Sequence, residues 1–491
     1  MPDRLSALDA SFLYLDDATT PMHVGTVLLL QLPRRTSRAP RAGETASAPA
    51  AEYDWLVSLI EQRLALVPRY RQKVVSVPGR LARPVWVDDP DFDIGYHVRR
   101  SALPRPGSEE QLNELVARLM SRPLDHSRPL WEIYLVEGLS RNRVAVITKT
   151  HNAVVDGVAG VDIGQVLLRS SRRPPQEDPE LWMPEPQPSG SQLVLDAAWE
   201  AVRQPGEAVE NARLAALDLA ATARKLVGAV TGVASALRTA VRPPPAGPLN
   251  VEISRQRRYA VARTSLADYR TVRQRHGGTV NDVVLAVVAG ALRNWLLSRG
   301  EAVSASTTVR AMVPLSVRAV AGEASGRVTE GAWHRDPGAG QVSAYLVNLP
   351  VGESSPLVRL HQVSHEMRAH QESGQSVAAN ALVRLSGFAP PTLHALGARA
   401  ANSFSQRLFN VMVTNVPGPQ VPLYAGGARM REMFPVVPLA KNQALSVGVT
   451  SYDGGVYYGL NGDRDAMFDV DVLAGMINES VEELVGTVGA A

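Results

Sequence analysis

The chain has 491 residues, 45% of them hydrophobic and 20% charged, enough for two or three ordinary domains with buried cores. Lysine and arginine number 51 against 48 for aspartate and glutamate, so the net charge is only +3, and a nucleic-acid binder, which needs a concentrated basic field, is excluded. The absence of cysteine excludes disulfides, thiolate nucleophiles and cysteine-held metals, and it fits a reducing, cytoplasmic compartment.

In chain order, the opening MPDRLSALDASFLYLDD carries Asp3, Asp9, Asp16 and Asp17 among its apolar residues and so lacks the apolar core of a signal peptide. Residues 24–32 read as a strand, and residues 34–51, rich in Ala, Pro, Arg, Ser and Thr, as an excursion loop. The spacing of Trp55, Leu59, Leu64 and Val67 predicts a helix over 54–67. That of Leu112, Leu115, Val116 and Leu119 predicts another over 111–120. Residues 130–136 and 143–150 are rich in β-branched and aromatic side chains and predict two strands around a turn at Gly138 to Asn142. A connector follows: the Pro-rich RRPPQEDPELWMPEPQPSGS, a long Ala-rich helical stretch over 192–241, and RPPPAGP. Within it Leu226, Val230, Val233, Leu237 and Val241 share a face near Lys225, Arg238 and Arg242. The plain reading is a helix packed on the protein's own surface, and the sharper one a membrane-surface helix.

Beyond the connector, a helix is predicted over 279–295, strands over 309–313 and 341–349, a helix over 357–373, and a hairpin of 446–451 with 456–460 around Asp453-Gly454-Gly455. Apolar stretches such as 283–292 fall short of the roughly 20 residues of a membrane span, so the chain is expected to be peripheral at most. The expected organisation is an N-terminal lobe over 1–173, a connector over 174–248 and a C-terminal lobe over 249–491. This is an α/β (α+β) architecture with a ligand cleft between lobes.

The chemistry concentrates at 144–160, VAVITKTHNAVVDGVAG, where a buried strand runs into His151-Asn152, then Asp156-Gly157. This segment is similar to the His-His-x-x-x-Asp-Gly motif of the superfamily that includes chloramphenicol acetyltransferase, peptide condensation domains and wax ester synthases. Further segments run in the same order across almost the whole chain: PMHVG at 21–25, FDIGYHV at 92–98, SRPLWEIYLVEGL at 127–139, GGTVNDVVLAVVAGALRNWL at 277–296, VTNVPGP at 413–419 and the closing ALSVGVTSYDGGVYYGLNGDRDA. The chain therefore resembles the bacterial wax ester synthase/acyl-CoA:diacylglycerol acyltransferase family.

That resemblance implies two chloramphenicol-acetyltransferase-like lobes joined by a long helical crossover, with the active-site channel between them. It implies acyl transfer from acyl-CoA, a substrate, to diacylglycerol or a long-chain alcohol, with no cofactor and no metal. It also implies a cytoplasmic enzyme, peripheral on the inner membrane or on lipid droplets. By the same resemblance, Asp156 is expected to anchor the motif and Gly157 to let the chain turn. Pro129, Leu130 and Trp131, His23, Asn281 and Asp282, and Asn415, Pro417 and Gly418 are the candidates for the channel.

In such enzymes the second histidine is the general base, and Asn152 stands there in this sequence. An amide has donors and an acceptor oxygen but does not take up a proton near neutral pH. If the strand continues through the motif, His151 faces the interior while Asn152 faces the channel. The family's Gly-Asn before 341–343 is also replaced, by Ala339-Gly340. An inactivated variant, a lipid-binding pseudoenzyme and a divergent enzyme, including one of secondary metabolism, all remain open here.

Other patterns have plainer readings. His361, His365 and His370 lack the accompanying carboxylates of a zinc hydrolase and fit a solvated helix face, while His97 and His126 read as structural. Gly157, Gly160 and Gly164 are too loosely spaced for a dinucleotide loop, and no Gly-x-Ser-x-Gly elbow occurs. Asn281-Asp282 also suits plain helix capping.

Overall fold

The computed structural model describes residues 2–32, 48–155, 163–171, 182–203, 247–316, 342–372 and 409–489. The N-terminal part holds α1 (Ala7–Leu15), β1 (His23–Gln31), α2 (Ala48–Leu64), β2 (Gln72–Val75), β3 (Val85–Asp88), α3 (Ile94–His97) and β4 (Val98–Ala102). It continues through α4 (Glu109–Met120), β5 (Trp131–Leu139), β6 (Arg143–His151), α5 (Asn152–Val155), α6 (Ile163–Leu167) and α7 (Gly190–Arg203). The remainder holds β7 (Arg257–Ser265), α8 (Leu266–His276), α9 (Val280–Ser298), β8 (Val309–Ser316), β9 (Val342–Leu349) and α10 (Pro356–Glu372). It ends with β10 (Val411–Pro417), β11 (Tyr424–Ala425), β12 (Ala428–Val436), β13 (Leu445–Tyr452), β14 (Gly455–Asp463) and α11 (Val470–Gly489).

The strands form two six-stranded sheets, ordered β11-β12-β1-β6-β5-β4 and β7-β14-β13-β10-β8-β9, beside a two-stranded β2-β3 ribbon. β6 lies inside the first sheet, antiparallel to both β1 and β5. That position explains why it is buried on both faces from Val144 to His151, apolar through Ile147 and polar but still buried from Thr148 to His151. α4 begins at a capping box, in which Ser108 Oγ accepts from Gln111 N–H and the Gln111 side chain accepts from Ser108 N–H. Its predicted apolar face, Leu112, Leu115, Val116 and Leu119, is buried in the first core.

α9 starts at a second capping box, between Thr279 and Asp282. Its 19 residues are apolar enough, by length and composition, to cross a membrane. Here they form the core of the second lobe instead, with Leu285, Val287 and Trp295 fully buried among α8, α10 and α11. The helix is thus longer than the apolar stretch counted in the sequence, because Asn281, Asp282, Arg293 and Asn294 interrupt the run without breaking the helix. The predicted hairpin is β13-β14, with Asp453 (φ 45°) and Gly454 (φ 84°) in its turn. α7 is the described part of the predicted connector helix. The basic amphipathic face over 226–241 lies outside the described residues.

The two sheets do not follow chain order. Strand β12, late in the sequence, pairs antiparallel with β1, and β13 then returns to the second sheet. The region from 249 onward therefore builds part of both lobes. Where they meet, Gly459 of β14 faces Pro435 of β12 so closely that a Cβ there would lie 1.9 Å from the Pro435 carbonyl oxygen.

Candidate active site

The motif sits where β6 leaves the first sheet. His151 is the last strand residue, opposite His23 of β1, and its N–H donates to Leu130 O at 2.9 Å. The strand does not continue through the motif, so the condition under which His151 and Asn152 alternate faces as strand residues is not met. Asn152 N–H donates to Met22 O at 2.9 Å and opens the helical turn α5. His151 is in the interior nonetheless, 1% exposed. Its Nδ1 accepts from Ala153 N–H at 3.1 Å, so the proton of the neutral ring is on Nε2. Burial lowers the pKa of this imidazole below its ordinary value. With its proton fixed and its lone pair engaged, His151 is not placed to act as a base.

Asn152 is 9% exposed, and its Oδ1 is buried without a hydrogen-bond partner among the described residues. A buried acceptor left open is uncommon and calls for a role. Beside it lies Asp16, whose side chain is 7% exposed. Asp16 Oδ1 accepts from Met22 N–H at 2.9 Å, and Oδ2 from His126 Nε2 at 2.7 Å. His151 Nε2 stands 3.5 Å from the same Oδ2, at the limit of hydrogen-bonding range. Burial alone would raise the Asp16 pKa, but His126, His151 and the Met22 amide outweigh it and hold the carboxyl well below its usual range.

Asp16, His126 and His151 offer three ligand atoms within 4.8 Å of one another, so they were candidates for a metal. The donor chemistry does not suit one. A metal on His151 Nε2 would move the ring proton to Nδ1, where it would point at the Ala153 N–H that Nδ1 now accepts.

The remaining sequence candidates divide between scaffold and a second cluster. His23 is buried, and its Nε2 donates to Met120 O at 2.9 Å. Burial, with Lys149 nearby, holds its pKa well below the ordinary histidine value. Leu130 carries the carbonyl that ends β6. Trp131 donates to Tyr70 O at 2.7 Å and stacks on His97 at 4.5 Å. The segment Pro129-Leu130-Trp131 thus buttresses the strand carrying His151.

In the other lobe Asn415 Nδ2 donates to Asn281 Oδ1 at 3.1 Å, joining two motifs distant in sequence, while Asp282 is engaged in the helix cap. Gly418 follows Pro417 at the end of β10, and a Cβ on it would lie 2.3 Å from Ser451 O. No hydrogen bond or ion pair among the described residues joins this cluster to the His151 cluster. Asp156, Gly157, Ala339 and Gly340 lie outside the described residues. The sequence does not single out Asp16 or Met22 as site residues, and His126, which reads as structural there, is the partner of Asp16.

A family model described as the wax ester synthase/diacylglycerol acyltransferase catalytic domain matches residues 5–284. A second, the WS/DGAT C-terminal domain, matches residues 340–485. The chain belongs to the wax ester synthase/diacylglycerol acyltransferase family. It is 34% identical over 483 residues to the probable diacylglycerol O-acyltransferase tgs1 of Mycobacterium tuberculosis, covering 98% of this chain and 96% of that one. It is 50% identical over 277 residues to the probable diacylglycerol O-acyltransferase tgs3 of the same species, covering 56% of this chain and 97% of tgs3.

Among solved structures, the wax ester synthase/diacylglycerol acyltransferase from Marinobacter aquaeolei VT8 superposes with a TM-score of 0.67 at 26% identity, over 99% of this chain and 100% of that one. The first condensation domain of the calcium-dependent antibiotic synthetase, at 14% identity and a TM-score of 0.53 over 99% of this chain and 97% of that one, shares the fold. The expected two-lobed fold and family are both borne out.

Proposed function

We propose that this family member is an acyl-CoA-dependent O-acyltransferase that holds its acceptor hydroxyl on Asn152 without a proton-accepting side chain at that position. The acceptor is diacylglycerol, giving a triacylglycerol, or a long-chain alcohol, giving a wax ester. The observation that supports the reading is the buried, unpartnered Oδ1 of Asn152. An alcohol O–H satisfies such an oxygen, and doing so aims the alcohol oxygen for attack on a thioester carbonyl. The C–O bond forms, the C–S bond breaks, and the hydroxyl proton ends on the departing CoA sulfur through solvent instead of through an imidazole. Orientation without a base leaves a slow enzyme, since a positioned base contributes about 10²–10⁴ in rate. The chain's own residues carry the reaction in this reading, with no metal or cofactor. Both substrates partition to lipid surfaces, so we place the protein on the inner membrane or on lipid droplets.

The test is acyl transfer from palmitoyl-CoA to diacylglycerol and to hexadecanol by the unsubstituted chain and by Asn152→His. We expect Asn152→His to raise kcat by about 10²–10⁴ with little change in KM. Equal and robust turnover by both forms would overturn the assignment of the proton-acceptor position. Binding of both substrates without turnover by either form would favour a lipid-binding protein instead.

A further inference from the structure

We infer that Asp16 is a positioning residue for the Asn152 turn, bracing from outside the motif the backbone from which the Asn152 side chain projects. The inference rests on the reading that Asn152 faces the acceptor. Asp16 reaches the turn along two routes. Its Oδ1 accepts from Met22 N–H at 2.9 Å, and Met22 O in turn accepts from Asn152 N–H at 2.9 Å. Its Oδ2 stands 3.5 Å from His151 Nε2, and the other nitrogen of that ring accepts from Ala153 N–H at 3.1 Å. One carboxylate thus reaches the Asn152 backbone N–H through Met22 and lies against the His151 ring, whose other nitrogen accepts from Ala153 N–H, so it braces the backbone on both sides of the Asn152 side chain.

Helix stability does not account for the carboxylate. Asp16 is the C-cap of α1, where the negative end of the helix dipole disfavours an anion, and its side chain is largely buried. The loop that carries it is itself held in shape. Asp17 Oδ1 accepts from Thr19 N–H at 2.7 Å and from Thr20 N–H at 2.8 Å. Thr19 O accepts from Arg257 of the opposite lobe. The turn is therefore referenced to both lobes, between which the substrates must meet.

Asp16→Asn is the discriminating variant because it keeps shape and removes one acceptor. If the amide oxygen faces Met22, the amide N–H₂ faces His151 Nε2–H. If it is reversed, two donors meet at Met22. Measurements are backbone amide exchange, and kcat and KM with palmitoyl-CoA and hexadecanol in the Asn152→His background. We expect faster exchange confined to Met22 and the 148–155 segment, and kcat reduced about 10²-fold with KM nearly unchanged, as for a displacement near 1 Å.

Unchanged exchange and kcat would overturn the inference. So would exchange that rises throughout both lobes, which marks a purely structural residue. If Asn152→His gains nothing over the unsubstituted chain, the proposed function fails, and local exchange still decides the role of Asp16. Should Asp16→Asn not fold, His126→Phe tests the same hub at a position 47% exposed. A smaller loosening of 148–155 is expected there, and none would overturn the proposal.

Discussion

Three buried histidines, His23, His97 and His151, have pKa values lowered by burial, and each is therefore carried neutral in the folded chain. In the unfolded chain each titrates near about 6.5, so folding loses stability as pH falls below that value toward their lower folded pKa values. Asp16 follows the same sign at lower pH: its folded pKa is depressed, so its contribution is complete above about pH 4 and is lost as pH falls further. His23→Gln, which can still donate to Met120 O, should shrink the drop in melting temperature between pH 7 and pH 5. A drop as large as that of the unsubstituted chain would contradict this account. The same residues show what the sequence could reveal. His151 and Asn152 were legible because they adjoin in a motif, and Asp282 because its cap is local. Asp16 with His126 was not, because the partners lie 110 residues apart and a lone exposed histidine leaves no periodic mark. The tautomer of His151 was equally hidden, being set by the Ala153 amide.

At the scale of elements, those with one clean period were legible. β1, β6, α4 and α9 each bury a simple apolar pattern, and the capping boxes at Ser108 and Thr279 coincide with helix starts. The strands not foreseen mix signals. β7 lies at a sheet edge and carries three arginines, and β12 carries Arg, Glu and Pro because it packs against the other lobe. One glycine of β14 is part of that junction. Gly459 faces the Pro435 backbone, and Tyr259 OH donates to the same Pro435 carbonyl at 3.0 Å. A methyl at 459 meets backbone on β12 that cannot rotate away, unlike the end of a flexible side chain. Gly459→Ala should therefore destabilise by about 1–3 kcal/mol, read as a lowered denaturant midpoint. An unchanged midpoint would mean that the two sheets separate more readily than their packing implies.

For the whole molecule, the exchange of β12 decides how the lobes depend on each other. Arg263 of β7 bridges them, its Nη1 donating to Glu109 at 3.0 Å and its Nη2 to Glu432 at 2.9 Å. These side chains are partly exposed, and such pairs contribute about 0–1 kcal/mol each, so they do not hold the lobes together. Apolar burial contributes more. β12 places Met430, Phe434 and Val436 in the core of the first lobe, although their stretch of chain lies between strands of the second. Without β12, β1 becomes an open edge, and a fragment that contains β12 without β1 exposes those three side chains, at roughly 1.5–3 kcal/mol each. Residues 1–203 and 247–491, produced separately, should each fail to show a cooperative unfolding transition. The intact chain should unfold in one transition, with near-ultraviolet dichroism and tryptophan fluorescence superimposing. A sharp, reversible transition in either fragment alone would show that the strand exchange decorates two independent domains and does not bind them into one.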